Sequence, residues 1–245
     1  MTEQIHIGTS GWHYNHWKGN FYPDGVKQKN FTEYYTRFFK TVEINNSFYK
    51  LPTAETFANW RESVPEDFLF AVKASRYITH MKKLKDPQEG LARLFGNANA
   101  LEHKLGPVLF QLPPAWNVNV ERLQDFMSLL PPYYRYTFEF RHPSWYTPEV
   151  LDLLRKHNAA FCIYELEYHM SPLYVTANFV YVRLHGPEGK YAGSYPESAL
   201  QWWAQQCIAW QQQRLEVYVY FDNDQLGYAA FNALRLQEIL SRQQS

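Results

Sequence analysis

Along the chain, short runs of β-branched and aromatic residues alternate with longer segments whose apolar positions recur at helical spacing. Eight short runs read as strands: Gln4–Gly8, Thr41–Asn45, Phe68–Ala74, Pro107–Leu112, Tyr136–Phe140, Ala160–Tyr164, Phe179–Leu184 and Glu216–Phe221. Behind Asn30-x-x-Glu33, the residues Phe31, Tyr34, Tyr35 and Phe38 predict a helix opened by a capping box. Leu91, Leu94, Phe95, Ala98, Leu101 and Leu105 predict a second helix, and Val120, Leu123, Phe126, Met127 and Leu130 a third behind Asn119. Thr147-Pro148 sets a cap residue before a proline in a first helical turn. Ser194-x-Pro196-Glu197 opens a helix that carries Leu200, Trp203, Cys207 and Trp210.

Strands that alternate with helices imply parallel pairing. Eight such units in 245 residues predict an α/β chain of the (β/α)8 TIM-type barrel, folded as a single domain over residues 1–245. The stretch from Glu165 to Asn178 is too short for a covering helix, so a degenerate crossover is expected after the sixth strand.

Strands of a parallel barrel are buried on both faces and should be almost wholly apolar. Here the exceptions share a parity. Val42 and Ile44 oppose Glu43 and Asn45, and Phe70 and Val72 oppose Lys73. Val108, Phe110 and Leu112 oppose Gln111, while Phe138 and Phe140 oppose Glu139 and Arg141. Val180, Val182 and Leu184 oppose Tyr181, Arg183 and His185; Val217, Val219 and Phe221 oppose Tyr218, Tyr220 and Asp222. Successive strand side chains point to opposite faces. The polar set therefore shares one face, and it sits late in each strand, at the carboxyl end where barrel enzymes keep their sites.

Composition narrows the partners. The 24 Lys+Arg are balanced by 24 Asp+Glu, which argues against wholesale neutralisation of a nucleic-acid backbone. A local basic patch remains in Arg76, His80, Lys82, Lys83 and Lys85, so nucleic acid is an open partner through Lys82, Lys83 and Lys85. Met1-Thr2-Glu3-Gln4 carries no basic leader or apolar core of a signal peptide, and the longest apolar runs are strand-sized. Cys162 and Cys207 stand apart without metal-ligand spacing. A cytoplasmic protein with a buried Cys162 thiol, no membrane contact and no cofactor is the expectation.

Seven stretches give the chain a family likeness. They are Gly8-Thr9-Ser10-Gly11-Trp12, Glu43-Ile44-Asn45-Asn46-Ser47-Phe48-Tyr49, Phe70-Ala71-Val72-Lys73 with Thr79-His80, Gly106-Pro107 through Gln111-Leu112-Pro113-Pro114, Glu139-Phe140-Arg141-His142-Pro143-Ser144-Trp145, Arg183-Leu184-His185-Gly186 and Phe221-Asp222-Asn223-Asp224. In this order the sequence resembles the YecE-like family, the domain of unknown function 72, across nearly its whole length. The resemblance implies a (β/α)8 barrel and supplies no reaction. The chain departs from the family's tendency at Glu165, where an Asp is usual after the sixth strand, and at Asp222, where Asn is usual.

The polar face defines the candidate chemistry. Glu43, Lys73, Glu139, His185 and Asp222 are the candidate acids and bases; Trp12, Asn45, Gln111, Arg141, Arg183 and Asn223 are the candidate substrate contacts. A lysine among arginines suits proton abstraction or imine chemistry, and two carboxylates in unlike surroundings divide acid and base roles. Arg141 and Arg183 offer planar forks for phosphate or carboxylate. Cations interleaved with the carboxylates argue against a metal centre. The leading expectation is an enzyme acting by acid–base chemistry on a small anionic molecule, possibly phosphorylated. Three alternatives stand beside it: a nucleic-acid-binding or phosphodiester-processing protein, a glycoside-acting enzyme using Glu43 and Glu139, and a non-catalytic barrel lined by a structural ion network. The rings of Trp12, Tyr14, Trp17, Phe21 and Tyr22 read as a packed lid.

Overall fold

The structure, a computed structural model, describes residues 4–243; Met1-Thr2-Glu3, on which the reading of the amino terminus rests, lie outside them. The described residues form strands β1 (Ile5–Thr9), β2 (Thr41–Ile44), β3 (Leu69–Lys73), β4 (Leu105–Leu112), β5 (Tyr136–Phe140), β6 (Ala160–Leu166), β7 (His169–Met170), β8 (Phe179–Leu184) and β9 (Glu216–Phe221). Between and after them run helices α1 (Phe31–Tyr35), α2 (Ala54–Glu62), α3 (Gln88–Ala98), α4 (Val120–Ser128), α5 (Pro148–Lys156), α6 (Glu197–Gln212) and α7 (Tyr228–Gln243). This is an α/β fold with parallel strands, of the (β/α)8 TIM-type barrel class, and all eight expected strands are present. No described helix lies between Leu166 and Phe179, in line with the degenerate crossover. In its place β6 turns back into β7 as a hairpin, Glu165 opposite Met170, with Glu167 and Tyr168 at φ of 51° and 63°. No described helix is long and apolar enough to cross a membrane.

The chain falls into two compact units, the first made of residues up to 43, 163–173 and 178 onward, the second of 44–162 and 174–177. In the first unit β1, β9 and β8 pair in parallel, with Gly8 beside Tyr220 and Arg183 beside Tyr220. Their branched residues Val180, Val182, Val217 and Val219 are buried, and α7 packs on β1 and β9 while α6 packs on β9. Residue 8 must be glycine, because a Cβ there would lie 2.3 Å from the Thr41 carbonyl oxygen. Before α1, Trp17 and Tyr22 are fully buried and Tyr22 stacks on Phe31 at 3.8 Å, so this aromatic loop is packed core. The capping box at Asn30 does not form. Asn30 ends a 3-10 turn, Gln28–Asn30, at φ −102° and ψ 5°, so its side chain makes no cap bond.

In the second unit β3, β4 and β5 run parallel and the start of β6 joins β5, Thr137 beside Ala160. The rings of Phe110, Phe126 and Phe138 meet edge-on and offset between β4, β5 and α4. Its helices start where their side chains can accept the first free amides. Asn119 Oδ1 accepts from Arg122 N at 2.8 Å, Thr147 Oγ1 from Val150 N at 3.4 Å and Thr53 Oγ1 from Thr56 N at 3.2 Å.

Candidate functional site

Each unit brings polar residues together at the carboxyl ends of its own strands. In the first unit Glu43, from β2, is fully buried and accepts from three residues. Ser10 Oγ donates to Oε1 at 2.6 Å and Tyr181 OH to Oε2 at 2.7 Å. Arg183, from β8, lays its fork across the same carboxylate, with Nε 3.0 Å from Oε2 and Nη2 2.8 Å from Oε1. The same Nη2 reaches Asp222 Oδ2 at 2.9 Å, just past β9. His185 closes the group: its Nε2 lies 3.3 Å from Arg183 Nη1 and its Nδ1 2.9 Å from Asp222 Oδ2. A guanidinium has only donors, so Nε2 is the accepting nitrogen in its contact with Arg183. The quartet holds two carboxylates for one fixed cation, with the His185 ring against both Arg183 and Asp222.

The surroundings of the quartet are hydroxyl-rich. Tyr14 OH donates to the Ser10 carbonyl at 2.6 Å, and burial, followed by the charges of Asp222, Asp224 and Glu43, pushes its phenol well above the ordinary range. Burial, followed by the charge of Asp222, also raises the Asp224 carboxyl. Two expected substrate contacts are placed otherwise in this unit. Trp12 is buried with its Nε1 donating to Thr32 Oγ1 at 3.0 Å. Asn223 Nδ2 donates to the Gly193 carbonyl at 2.8 Å and to Asn232 Oδ1 at 2.9 Å, tying the loop after β8 to α7. That loop turns at Gly186, φ 113°, where a Cβ would meet the Ala192 carbonyl oxygen at 2.2 Å. Glu165, half-buried on β6, receives the Trp203 and Tyr195 side chains, and burial raises its carboxyl above the usual range.

The second unit gathers Lys73, Glu139 and Arg141. Glu139 is fully buried, pairs with Arg141 Nε, and lies beside Gln111 in the β4–β5 register. The buried Cys162 thiol is 3.8 Å from its other oxygen. Lys73 ends β3 at 7% exposure, its ammonium 4.4 Å above the Phe48 ring. Ser47 Oγ sits 2.6 Å from the Lys73 carbonyl oxygen and 2.9 Å from that of Ile44, which fixes the strand end. Asn45 stands one residue past β2, half-buried. The Phe48 ring also meets His80, edge to face at 5.0 Å. Burial, then Lys73, Arg76 and Arg141 in that order, push His80 down to about 4, against a weaker opposing pull from Glu139.

A family model described as protein of unknown function DUF72 matches residues 6–245. The chain belongs to the DUF72 family. A solved DUF72 family protein of Thermotoga maritima MSB8 is 31% identical, with TM-score 0.87 over 97% of this chain and 99% of that one. The UPF0759 protein YunF of Bacillus subtilis is 26% identical over 96% of this chain and 94% of its own length. The UPF0759 protein YecE of Escherichia coli K12 is 30% identical over 115 residues, 46% of this chain and 42% of its own.

Within this DUF72 protein, Glu43 and Glu139 each belong to a different unit and each holds its own arginine. Lys82, Lys83 and Lys85 are exposed beyond a π-turn, Tyr77–Met81, with Lys83 at φ 46°. Among the described residues no group of three His, Cys, Asp or Glu is arranged to hold a metal ion. Sequence reasoning passed over Ser10, Tyr181, His80 and Phe48 as site residues. Ser10, Phe48 and His80 lie inside the family-like stretches, and Tyr181 shares the parity of Arg183, so each left a signal.

Proposed function

We propose that this DUF72 protein is an enzyme acting by acid–base chemistry on a small anionic substrate, and that its second unit holds the anion. The observation that carries the reading is the buried Lys73 ammonium, 4.4 Å over the Phe48 ring and so beside the His80 imidazole ring. Lys73, Arg76 and Arg141 all act on that ring, against the single carboxylate of Glu139. A desolvated ammonium against an aromatic wall attracts an anion strongly. Lys73 is the direct partner of the anion in this reading, and Glu139 holds the Arg141 fork in a fixed direction.

Inorganic phosphate is the first probe. Titration followed by phosphorus NMR is expected to show saturable binding that Lys73→Met weakens roughly tenfold, as loss of one charge-assisted contact implies. Phosphorylated and carboxylated metabolites incubated in deuterium oxide should then exchange a carbon-bound proton beside the anionic group. No saturable phosphate binding, or equal binding by Lys73→Met, ends the proposal.

A second reading applies to the first unit. Arg183 is fully buried and already spread over Glu43, Asp222 and His185, which favours a structural ion network there.

A further inference from the structure

Resting on the anion site just proposed, we infer that His80 is its proton-transfer group, taking a proton at Nε2 from a hydroxyl or carbon acid adjoining the substrate's anionic group. Three features place it. His80 stands on the π-turn Tyr77–Met81, and single π-turns recur at functional sites because they re-aim a side chain out of the helical register. Its Nδ1 lies 2.9 Å from Thr79 Oγ1, a buried hydroxyl, so this nitrogen is occupied. Thr79 Oγ1 also faces the Ser75 carbonyl oxygen at 3.5 Å; with its proton turned there it accepts from Nδ1–H, leaving the lone pair on Nε2. Among the described residues Nε2 has no hydrogen-bond partner.

Phe48 then joins the two working groups. Its ring carries the Lys73 ammonium at 4.4 Å and the His80 ring at 5.0 Å. An anion drawn to Lys73 therefore arrives next to His80. The groups that act on the imidazole are Lys73, Arg76 and Arg141, all cationic, and Glu139. With no anion, burial and then these cations keep the ring neutral and weakly basic, pushed down to about 4. A bound anion offsets that field, and His80 becomes a competent base only when substrate is in place. The balance of the step is simple: the substrate's O–H or C–H bond breaks, the proton goes to Nε2, and the electron pair stays on the substrate facing the Lys73 ammonium. Imidazolium returns the proton later in the cycle.

Nitrogen-15 NMR of the histidine rings tests this in the intact chain, with inorganic phosphate as the probe and His80→Asn to assign the signal. Nε2 is expected to be unprotonated at neutral pH, and phosphate at saturation should raise the His80 pKa from about 4 toward the ordinary imidazole value. Thr79→Val should mix the two tautomers while leaving phosphate affinity within about twofold, a change that loss of folding would not produce. If phosphate binds saturably and the His80 ring does not respond, or if Nε2 carries the proton, His80 is not the transfer group and the anion site stands without it. If phosphate does not bind at all, the anion site falls and the role of His80 with it.

Discussion

In the first unit two carboxylates, Glu43 and Asp222, surround one guanidinium; in the second, three cations act on a ring that a single carboxylate opposes. Glu43 and Arg183 in the one, and Lys73 and Glu139 in the other, are buried charge near strand ends, and a reading of residue types alone gives them equal standing. Their difference lies in what is left over. Arg183 spends its donors on partners within the protein, and His185 closes the group. Around His80, burial and then three cations push the imidazole down to about 4 against the weaker pull of Glu139. Buried ionisable groups mark a fold's polar interior; a ring displaced by burial and by neighbouring charge marks a candidate place for a ligand.

The sharpest way to break this comparison is to remove each cation in turn. Arg183→Met leaves Glu43 fully buried and Asp222 nearly so, without their guanidinium. An expected loss of about 3–5 kcal/mol in urea unfolding follows from stranding buried carboxylates. A loss below about 1 kcal/mol would show that the first unit is not held by this network.

Lys73→Met should behave in the opposite sense. Its ammonium lies on the Phe48 ring, so a methionine of similar length keeps the packing against that ring. Stability should change by less than about 1 kcal/mol while phosphate affinity falls roughly tenfold. Equal damage to stability in Lys73→Met and Arg183→Met would erase the contrast between the units.

How far the sequence foretold this arrangement depends on what each element needs to be recognised. Strands such as Phe179–Leu184 and Glu216–Phe221 are written in alternating valines and aromatics, and they form at the expected residues. The site face was legible for the same reason: Glu43, Arg183, His185 and Asp222 share a parity, and a period of two survives in any register. The hairpin into His169–Met170 was not legible, because it pairs through backbone over two exposed residues and carries no hydrophobic pattern. The Asn30 cap was misread because a 3-10 turn precedes it, which the tetrapeptide alone does not reveal. The division of charge was also hidden. Parity says that Arg141 and Arg183 point inward, yet only coordinates show that one arginine is shared by two carboxylates and a histidine.

The pH dependence of stability offers a smaller lever on the same contrast. The folded His80 ring holds its proton less tightly than the unfolded one, with a pKa of about 4 against 6.5. Its contribution is therefore favourable above the higher value and lost as pH falls through that window. His80→Asn should flatten the acid limb of the stability curve by about 1 kcal/mol, since a half-buried ring is partly screened by solvent. An unchanged acid limb would mean that the cations do not act on this histidine.

The smallest expected effect calibrates the others. Asn119→Ala removes the cap at the start of α4, where Oδ1 accepts from Arg122 N at 2.8 Å on the exposed side of the second unit. Losing that acceptor returns one helix amide to water, at a cost of about 0.5–1 kcal/mol. Asn119 makes no contact with Lys73, Phe48 or His80 among the described hydrogen bonds, so phosphate affinity should not move. Unfolding and phosphorus NMR on this variant separate a general loosening of the second unit from a loss at the anion site. If Asn119→Ala weakens phosphate as much as Lys73→Met does, the tenfold effect at Lys73 reflects stability and not recognition. If it leaves affinity unchanged while lowering the unfolding midpoint, the positive charge beside His80 is the property that the lysine substitution removes.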